Sequence, residues 1–322
     1  MFGEQPNHRI VDRLVRDRAA ERQAVAAALR TRPAAIAPKY LYDRLGCALF
    51  GAICELPEYY PTRTEQAIFS TFRPSIVRCL GQGKQFVDLG AGDCRKALQW
   101  LPFIAPLRYV AVDIAREEID GALARIAPDF PRIDMQGVVV DFSRGLDLSR
   151  DLTSAPVTFF YPGSSIGNFS PAEAREFLID VRAHCASRAD SGILIGVDTR
   201  KAAERLLAAY DDAVGVTAAF NRNILVHVNR LIGSRFRPDD FDHRASYDSL
   251  AGRVDMHLIA RRNVTVELDG VERVFGAGER IHTESSYKYS PAEFSEVLHA
   301  AGFRSVRCWQ DDAGDFAVFY AS

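Results

Sequence analysis

The 322-residue sequence has few cysteines, and they are not close enough to one another to form the usual metal or redox motifs. The six cysteines are scattered, and no C-x-x-C pair occurs. A disulfide scaffold or a structural zinc site would need tighter spacing. We therefore expect reduced, mostly buried thiols and no metal site.

Long apolar runs and runs of one charge sign are also lacking. No segment reaches the ~18 consecutive apolar residues of a membrane span, and the charged start, MFGEQPNHRIVDRLVRDRAAER, has no apolar signal-peptide core. The net charge is −2, without a sustained basic run, which argues against a large nucleic-acid surface. We expect a cytoplasmic monomer that binds neither membrane nor nucleic acid.

Apolar strands alternate with helical stretches from residue 85 onward. The strands are expected in QFVDLGAGD, RYVAVDIA, DMQGVVVDF, APVTFFYPGSSIGNF and GILIGVDT, and SVRCWQDD and DFAVFYAS add a terminal hairpin. Strands that are apolar throughout indicate a parallel sheet covered on both faces. The sequence therefore predicts an α/β fold, a Rossmann-like doubly wound sheet, over residues 66–200 and 286–322.

The remaining segments lack this alternation. Helical spacing of apolar residues occurs over 8–30 and 41–56, and 201–285 contains two further helical stretches followed by a strand-like part. Between these helices and the sheet lies ELPEYYPTRTE, which we expect to be a rigid irregular loop. We predict a second, mainly helical α+β domain from residues 1–65 and 201–285, which binds the substrate.

Ligands of a doubly wound sheet bind at the carboxyl ends of its strands, and three of these ends carry suggestive residues. Gly90 lies in a G-x-G turn after the first strand, and Asp113 ends the next strand, about 20 residues on, where an acid can bind a ribose. Asp141 and Phe142 end the third strand, where they could contact an amine and an aromatic base. A nucleoside-containing cofactor is the expected ligand.

The glycine turn favours S-adenosylmethionine over a dinucleotide. A dinucleotide site needs a third glycine near the pyrophosphate, and Arg95 occupies that position. Asp88 and Asp93 could face the positive groups of S-adenosylmethionine, and Lys96 its carboxylate. A nicotinamide-dependent oxidoreductase and a non-catalytic binding protein stay open as alternatives at this point.

The fourth strand end, YPGSSIGNF, contains Gly163 and Asn168. Asn168 could stabilise the loop through an Asx turn. Alternatively, its side chain could bind a substrate carboxylate beside the methyl donor.

Six stretches together resemble one family, the S-adenosylmethionine-dependent histidine Nα-methyltransferases that form hercynine for ergothioneine biosynthesis. In chain order they are PKYLYDRLGCALF, LPEYYPTRTE, VDLGAGDCRK, GSSIGNFSPA, AYDDAVGVTAAFNRN and TESSYKY. The resemblance covers nearly the whole chain. One departure is Ser285, where an aliphatic residue is expected.

The resemblance implies a role for each matched residue. The methyl donor would contact Gly90, Lys96, Asp113, Asp141 and Phe142. The amino-acid substrate would be held by Phe50, Tyr59, Asn168, Tyr210, Met256, Glu284 and Ser286, with its carboxylate on Asn168 and Tyr210 and its imidazole on Glu284 and Ser286.

Methyl transfer from S-adenosylmethionine needs a neutral amine within near-attack distance, so the amine must lose a proton. Tyr42 acting through water, or the carbonyl of Gly163, could guide that proton out, with Asn168 fixing the substrate; no strong base is evident. The expected product is Nα,Nα,Nα-trimethylhistidine. An N-methyltransferase for another aromatic amino acid or a histidine derivative is the alternative.

Overall fold

A computed structural model describes residues 8–14, 17–142 and 145–322. Its strands are β1 (His8–Asp12), β2 (Ala34–Ala35), β3 (Gln85–Leu89), β4 (Arg108–Asp113), β5 (Asp134–Val139), β6 (Val157–Tyr161), β7 (Gly192–Asp198), β8 (Phe241–Asp248), β9 (Arg253–Ala260), β10 (Val264–Leu268), β11 (Val271–Phe275), β12 (Arg280–Tyr287), β13 (Val306–Gln310) and β14 (Phe316–Ala321). Its α-helices are α1 (Arg18–Arg30), α2 (Arg44–Cys54), α3 (Pro61–Leu80), α4 (Arg95–Leu98), α5 (Leu101–Ile104), α6 (Arg116–Ile126), α7 (Pro171–Ala186), α8 (Ala203–Tyr210), α9 (Val216–Ile232) and α10 (Pro291–Ala300).

The chain divides into two compact units. Within the described part, unit 1 comprises residues 8–14, 63–199 and 289–322, and unit 2 comprises residues 17–62 and 200–288. Each unit is thus assembled from segments that are separated in the sequence.

Unit 1 contains the predicted doubly wound sheet. Its strand order is β1-β5-β4-β3-β6-β7-β14-β13, with parallel pairing from β1 to β7 and antiparallel pairing at β14 and β13. The order reverses at β3, which pairs with β4 on one side and β6 on the other. Such a switch point places a ligand-binding crevice at the carboxyl ends of the strands. The α/β fold and the terminal hairpin are confirmed.

The start of the chain differs from the expected helix over residues 8–30. His8–Asp12 form strand β1, which pairs with β5 and places Ile10 opposite Gly137. A Cβ on Gly137 would lie 2.5 Å from Ile10 Cδ1, so the glycine makes room for this strand. The helix begins only at Arg18, where the Asp17 carboxylate accepts the amide of Ala20. The prediction of a helix before Arg18 is wrong, because the branched apolar residues Ile10 and Val11 pair with the sheet edge at β5. Residues 15 and 16 lie outside the described part.

The expected irregular loop is also shorter than predicted. Helix α3 begins at Pro61, so only the first half of ELPEYYPTRTE lacks regular structure. Proline suits the first position of a helix because its fixed φ is helical and its missing N–H needs no partner there.

Unit 2 is an α+β unit. Strands β2, β12, β9 and β8 form a four-stranded sheet in that order, and β10 and β11 form a separate hairpin. Helix α9 packs on α2 and on this sheet, and buries Phe220, Ile224 and Val228 in the core. Asp212 starts α9 by accepting the amides of Gly215, Val216 and Thr217 at 2.7, 3.0 and 2.7 Å.

Candidate active site

The carboxyl edge of the unit 1 sheet carries the glycine turn. Gly90 and Gly92 have φ values of +68° and +49°, which favour glycine, and the amides of Gly90 and Ala91 donate to the Val112 carbonyl. A Cβ on Gly92 would meet no atom within 4 Å. The turn therefore presents backbone beside open space, which is what close approach of a ligand requires.

Asp113 ties this turn to the neighbouring strand. One carboxylate oxygen accepts the Gly92 amide at 2.9 Å and the other accepts the Ala115 amide at 2.9 Å. These bonds give Asp113 a structural role in addition to the predicted one. Its ribose-binding role stays a prediction.

Asp141 and Phe142 follow β5 at the same sheet edge, and the amide of Val140 donates to the Asp113 carbonyl at 3.1 Å. The Phe142 ring lies edge-on to Tyr161, with 6.1 Å between centroids, and 5.8 Å from Phe177. Phe142 is thus held in a defined orientation by two neighbouring rings.

Asp88 is buried beneath the glycine turn. The Tyr109 hydroxyl donates to its carboxylate at 2.9 Å. Burial raises the pKa of Asp88 to about 7, and this effect is larger than the opposing effect of the hydrogen bond from Tyr109. Asp93, in contrast, forms an exposed ion pair with Arg95.

Glu65 is a buried acid that was not predicted from the sequence. One of its carboxylate oxygens accepts the Lys96 ammonium at 2.7 Å and the other accepts the Gly163 amide at 2.7 Å. Its side chain is 1% exposed, compared with 38% for Lys96. The structure therefore connects Lys96 and Gly163, two predicted site residues, through one carboxylate. Lys96 and Gly163 are 31 and 98 residues away from Glu65 in the sequence, so no local sequence pattern indicates these contacts.

Asn168 lies in unit 1, at the end of a 3-10 helix over Ser165–Asn168. The preceding turn is fixed by positive φ at Gly163 and Ser164, and the Ser164 hydroxyl accepts the Asp198 amide at 2.9 Å. The half-buried Asn168 side chain is therefore placed by a rigid turn. The other predicted substrate residues all belong to unit 2.

Unit 2 brings four predicted site residues, three for the substrate and Tyr42 for the chemical step, into one aromatic cluster. The ring centroids of Tyr42 and Phe50 are 5.7 Å apart, those of Phe50 and Tyr59 are 6.1 Å apart, and those of Tyr59 and Tyr210 are 6.4 Å apart. Phe220 joins the cluster at 5.6 Å from Tyr42. Phe220 lies in the AYDDAVGVTAAFNRN stretch but was not predicted as a site residue, because its apolar spacing is that of an ordinary core position.

Two tyrosines of this cluster stay protonated at neutral pH. Burial raises the pKa of Tyr42 well above its ordinary value, and the nearby Glu284 charge adds to the shift. Burial, followed by the neighbouring Tyr210, does the same to the pKa of Tyr59. Tyr42 can therefore pass on a hydrogen bond, but it is not a phenolate base.

The adjacent Tyr60 has a different environment from Tyr59. Its hydroxyl accepts a hydrogen bond from Lys201 at 2.7 Å, and its ring contacts the Lys201 ammonium and the Arg205 guanidinium. Tyr60 is 1% exposed. Tyr59 thus lies in the aromatic cluster, whereas Tyr60 packs against two cationic side chains.

The backbone of Tyr210 is also fixed. Asn221 donates to His243 Nδ1 at 2.8 Å, so the ring carries its proton on Nε2 and donates it to the Tyr210 carbonyl at 2.8 Å. Burial lowers the pKa of His243, which keeps the ring neutral. This arrangement holds the last residue of α8 in place.

Glu284 and Ser286 lie on one face of β12, and both are buried. Met256 of β9 is directly opposite Glu284 of β12 in the strand register. A bulge between His282 and Glu284 sets which residues face this side. Ser285 points to the other face, where its hydroxyl donates to Asp255 at 2.6 Å, which accounts for a polar residue there.

Lys288, just after β12, is another buried charged residue that was not predicted from the sequence. Its ammonium donates to the Tyr210 hydroxyl and to Ser286 Oγ, each at 2.8 Å. The Tyr210 hydroxyl in turn donates to Ser286 Oγ at 2.9 Å. Two predicted substrate residues are therefore joined through a cation.

Within residues 8–14, 17–142 and 145–322, no group of three or more His, Cys, Asp or Glu side chains is arranged to hold a metal ion. None of the helices in that part combines the length and apolar character that crossing a membrane requires.

Comparison with known proteins matches residues 21–322 to a family described as "Histidine-specific methyltransferase, SAM-dependent". The histidine N-alpha-methyltransferase of Mycolicibacterium smegmatis is 39% identical over 96% of this chain and 97% of its own length. The histidine N-alpha-methyltransferase of Mycobacterium tuberculosis is 34% identical over 94% of each chain. Ergothioneine biosynthesis protein 1 of Schizosaccharomyces pombe is 29% identical over 87% of this chain and 38% of its own.

Proposed function

The chain belongs to the family of histidine-specific, S-adenosylmethionine-dependent methyltransferases, and we propose from this premise how its residues carry out the reaction. It transfers methyl groups from S-adenosylmethionine to the α-amino nitrogen of L-histidine, giving Nα,Nα,Nα-trimethylhistidine for ergothioneine biosynthesis. The observation that carries this function is the family match over residues 21–322. The acidic and hydroxyl pair Glu284 and Ser286, buried on one strand face, supports it.

We propose that unit 1 holds the methyl donor, which supplies a methyl group already activated by its sulfonium. The open glycine turn at Gly90, the carboxylates of Asp113 and Asp141, and the fixed ring of Phe142 offer groups for a ribose and a base. Lys96 offers a cation for the donor's carboxylate. The space that a Cβ at Gly92 would occupy supports this assignment, since it leaves room for a ligand against the backbone.

For the substrate, we propose Phe50, Tyr59, Tyr210, Met256, Glu284 and Ser286, together with Asn168, as the binding residues. Glu284 would accept an imidazole N–H. A buried carboxylate without such a donor is costly, so a side chain that lacks an N–H is disfavoured. The proposed domain roles are therefore a donor-binding unit 1 and a substrate-binding unit 2.

Three groups are proposed to act in the chemical step: Tyr42, the Gly163 carbonyl and Asn168. Asn168 would orient the substrate, while Tyr42 through water, or the Gly163 carbonyl, would accept the hydrogen bond of the departing amine proton. Neutral Tyr42 and Phe50 present aromatic faces, and such faces favour a quaternary ammonium product by about 0.5–2 kcal/mol.

The test is the mass of the product formed from S-adenosylmethionine and each of histidine, tryptophan, tyrosine and phenylalanine. A gain of three methyl groups on histidine alone is expected. Methylation of another aromatic amino acid would favour the alternative substrate and overturn the assignment of Glu284. No product, with the donor still bound, would favour a binding protein over an enzyme.

Glu284→Gln provides the residue-level test. Losing the charged acceptor should lower kcat/KM for histidine by about 10–100-fold, because a hydrogen bond to a charged group is worth ~1.5–3 kcal/mol. The dissociation constant of S-adenosylmethionine should not change. The matched control is Glu267→Gln, on the exposed face of β10. Equal histidine kinetics in both variants would contradict the proposed imidazole contact.

We further propose that the protein acts as a monomer in the cytoplasm, without a nucleic-acid or membrane partner. The scattered cysteines and the near-neutral net charge support this. Light scattering after size exclusion would test the oligomeric state, and a mass twice that of the 35.8 kDa chain would contradict it.

A further inference from the structure

Lys288 is a buried cation whose contacts are fixed. It is 1% exposed, and its backbone amide donates to the Gly252 carbonyl at 2.7 Å. Besides its bonds to Tyr210 and Ser286, its ammonium lies 4.7 Å from the centroid of the Tyr210 ring. Burying an ammonium is costly unless it is well bonded, so these contacts have consequences for the groups around it.

The contacts determine the direction of the hydrogen bonds. An ammonium can only donate, so the Tyr210 hydroxyl and Ser286 Oγ both act as acceptors towards Lys288. The Tyr210 hydroxyl donates its own proton in a hydrogen bond to Ser286 Oγ. Ser286 Oγ therefore accepts two bonds, which uses both of its lone pairs. Its own proton therefore points away from Lys288 and Tyr210, so Ser286 can contact a ligand only as a donor.

We propose that Lys288 is a specificity-determining, positioning residue that makes the pocket select a neutral imidazole ring. This inference rests on the proposed function, in which Glu284 and Ser286 contact the imidazole. A neutral ring has one N–H and one bare nitrogen; Glu284 accepts from the first and Ser286 donates to the second. An imidazolium has N–H on both nitrogens, so its second N–H would meet the Ser286 proton.

The charges around the ring act in opposite directions. Glu284 favours an imidazolium, and Lys288, held through Ser286 and Tyr210, disfavours it. Two titratable groups of the cluster, Tyr42 and Tyr59, are neutral because burial raises the pKa of each hydroxyl. The positive charge of Lys288 therefore opposes the attraction of Glu284 for a charged ring.

The test is the ratio of kcat/KM for histidine between Lys288→Met and the wild type, measured across pH. Dividing the two profiles removes the titration of the substrate amine and of groups common to both enzymes. If the variant accepts both ring forms, the ratio should rise about tenfold between pH ~7.5 and ~5.5, since an imidazole titrates near pH ~6.5. A residue needed only for folding or for attracting the carboxylate would leave the ratio flat.

A matched control is Lys201→Met. Lys201 also donates to a tyrosine hydroxyl and lies over its ring, but the tyrosine is Tyr60, outside the aromatic cluster. Its ratio to the wild type should not change with pH. A flat Lys288→Met ratio in an enzyme that trimethylates histidine would overturn this inference and leave the proposed function intact.

A second measurement uses the wild type alone, in case Lys288→Met does not fold. Histidine binding at pH about 5.5 is followed by calorimetry in two buffers of different ionisation enthalpy. Binding of the neutral ring should release about one proton more than binding of 3-(1,2,4-triazol-3-yl)alanine, whose ring is already neutral. Equal proton release for the two ligands would overturn the proposal.

Discussion

Replacing Glu65 by alanine should destabilise unit 1 more than a typical surface substitution does. The carboxylate lies against the backbone of Gly196, where a Cβ would be 2.0 Å from Oε1. It holds the Gly163 amide on one oxygen and Lys96 on the other. Alanine leaves both donors without this acceptor, and also leaves a void at Gly196.

The size of the effect follows from the exposure of each partner. A hydrogen bond to a charged group contributes ~1.5–3 kcal/mol. Lys96 is 38% exposed and can regain water, so its share should be ~1 kcal/mol or less. Glu65→Ala should therefore cost about 2–4 kcal/mol, whereas Glu65→Gln, which can still accept from Gly163, should cost about 1–2 kcal/mol.

Urea unfolding followed by tryptophan fluorescence is a suitable assay. The two tryptophans, Trp100 and Trp309, both belong to unit 1, so the signal reports on the unit that contains Glu65. A double-mutant cycle with Lys96→Met isolates the ion pair from the Gly163 bond. A loss below ~1 kcal/mol for Glu65→Ala, or equal losses for alanine and glutamine, would refute the reasoning.

Two further substitutions test the packing of unit 1. Asp88→Asn should make the protein more stable than the wild type at pH 8 and equally stable below about pH 4. The pKa of Asp88 is about 7 in the folded protein, above its ordinary value in the unfolded chain. As the pH rises from the unfolded pKa to the folded pKa, the buried carboxylate therefore destabilises the wild type increasingly. The gain should approach ~3–4 kcal/mol in urea unfolding, and a gain that shrinks with rising pH would contradict the assignment. Gly137→Ala should cost about 1–3 kcal/mol by overpacking against Ile10, seen as a lower Tm, and an unchanged Tm would mean that β1 contributes little.

Much of the fold could be predicted because its signals are local. The capping boxes at Ser170 and Ser290 mark the starts of α7 and α10 through residues three positions apart. The apolar strands and the glycine turn at Gly90 are equally local. Strand β1 was wrongly predicted as helix because its five residues of mixed polarity fit a helical and an extended pattern equally well. Only pairing with β5 decides between the two conformations.

The predicted site residues were found largely through the resemblance, whereas their supporting residues were not. Glu65 contacts predicted site residues that are 31 and 98 positions away, and Lys288 contacts predicted site residues that are 2 and 78 positions away. Phe220 enters the aromatic cluster from a helix whose spacing is that of a normal core. Contacts of this kind arise only from tertiary packing, which one sequence does not record.

The pairing of β14 with β7 has a consequence for how the protein is made. In the sheet, β14 pairs with the edge of β7. The second segment of unit 2, residues 200–288, is translated between these two strands. At ~5–20 residues per second, the roughly 120 intervening residues take on the order of ten seconds to emerge from the ribosome. During that time the apolar edge of β7 is unpaired, which is the kind of surface that aggregates. A chaperone that binds the nascent chain should therefore engage it at β7, and unit 2 should finish folding before unit 1.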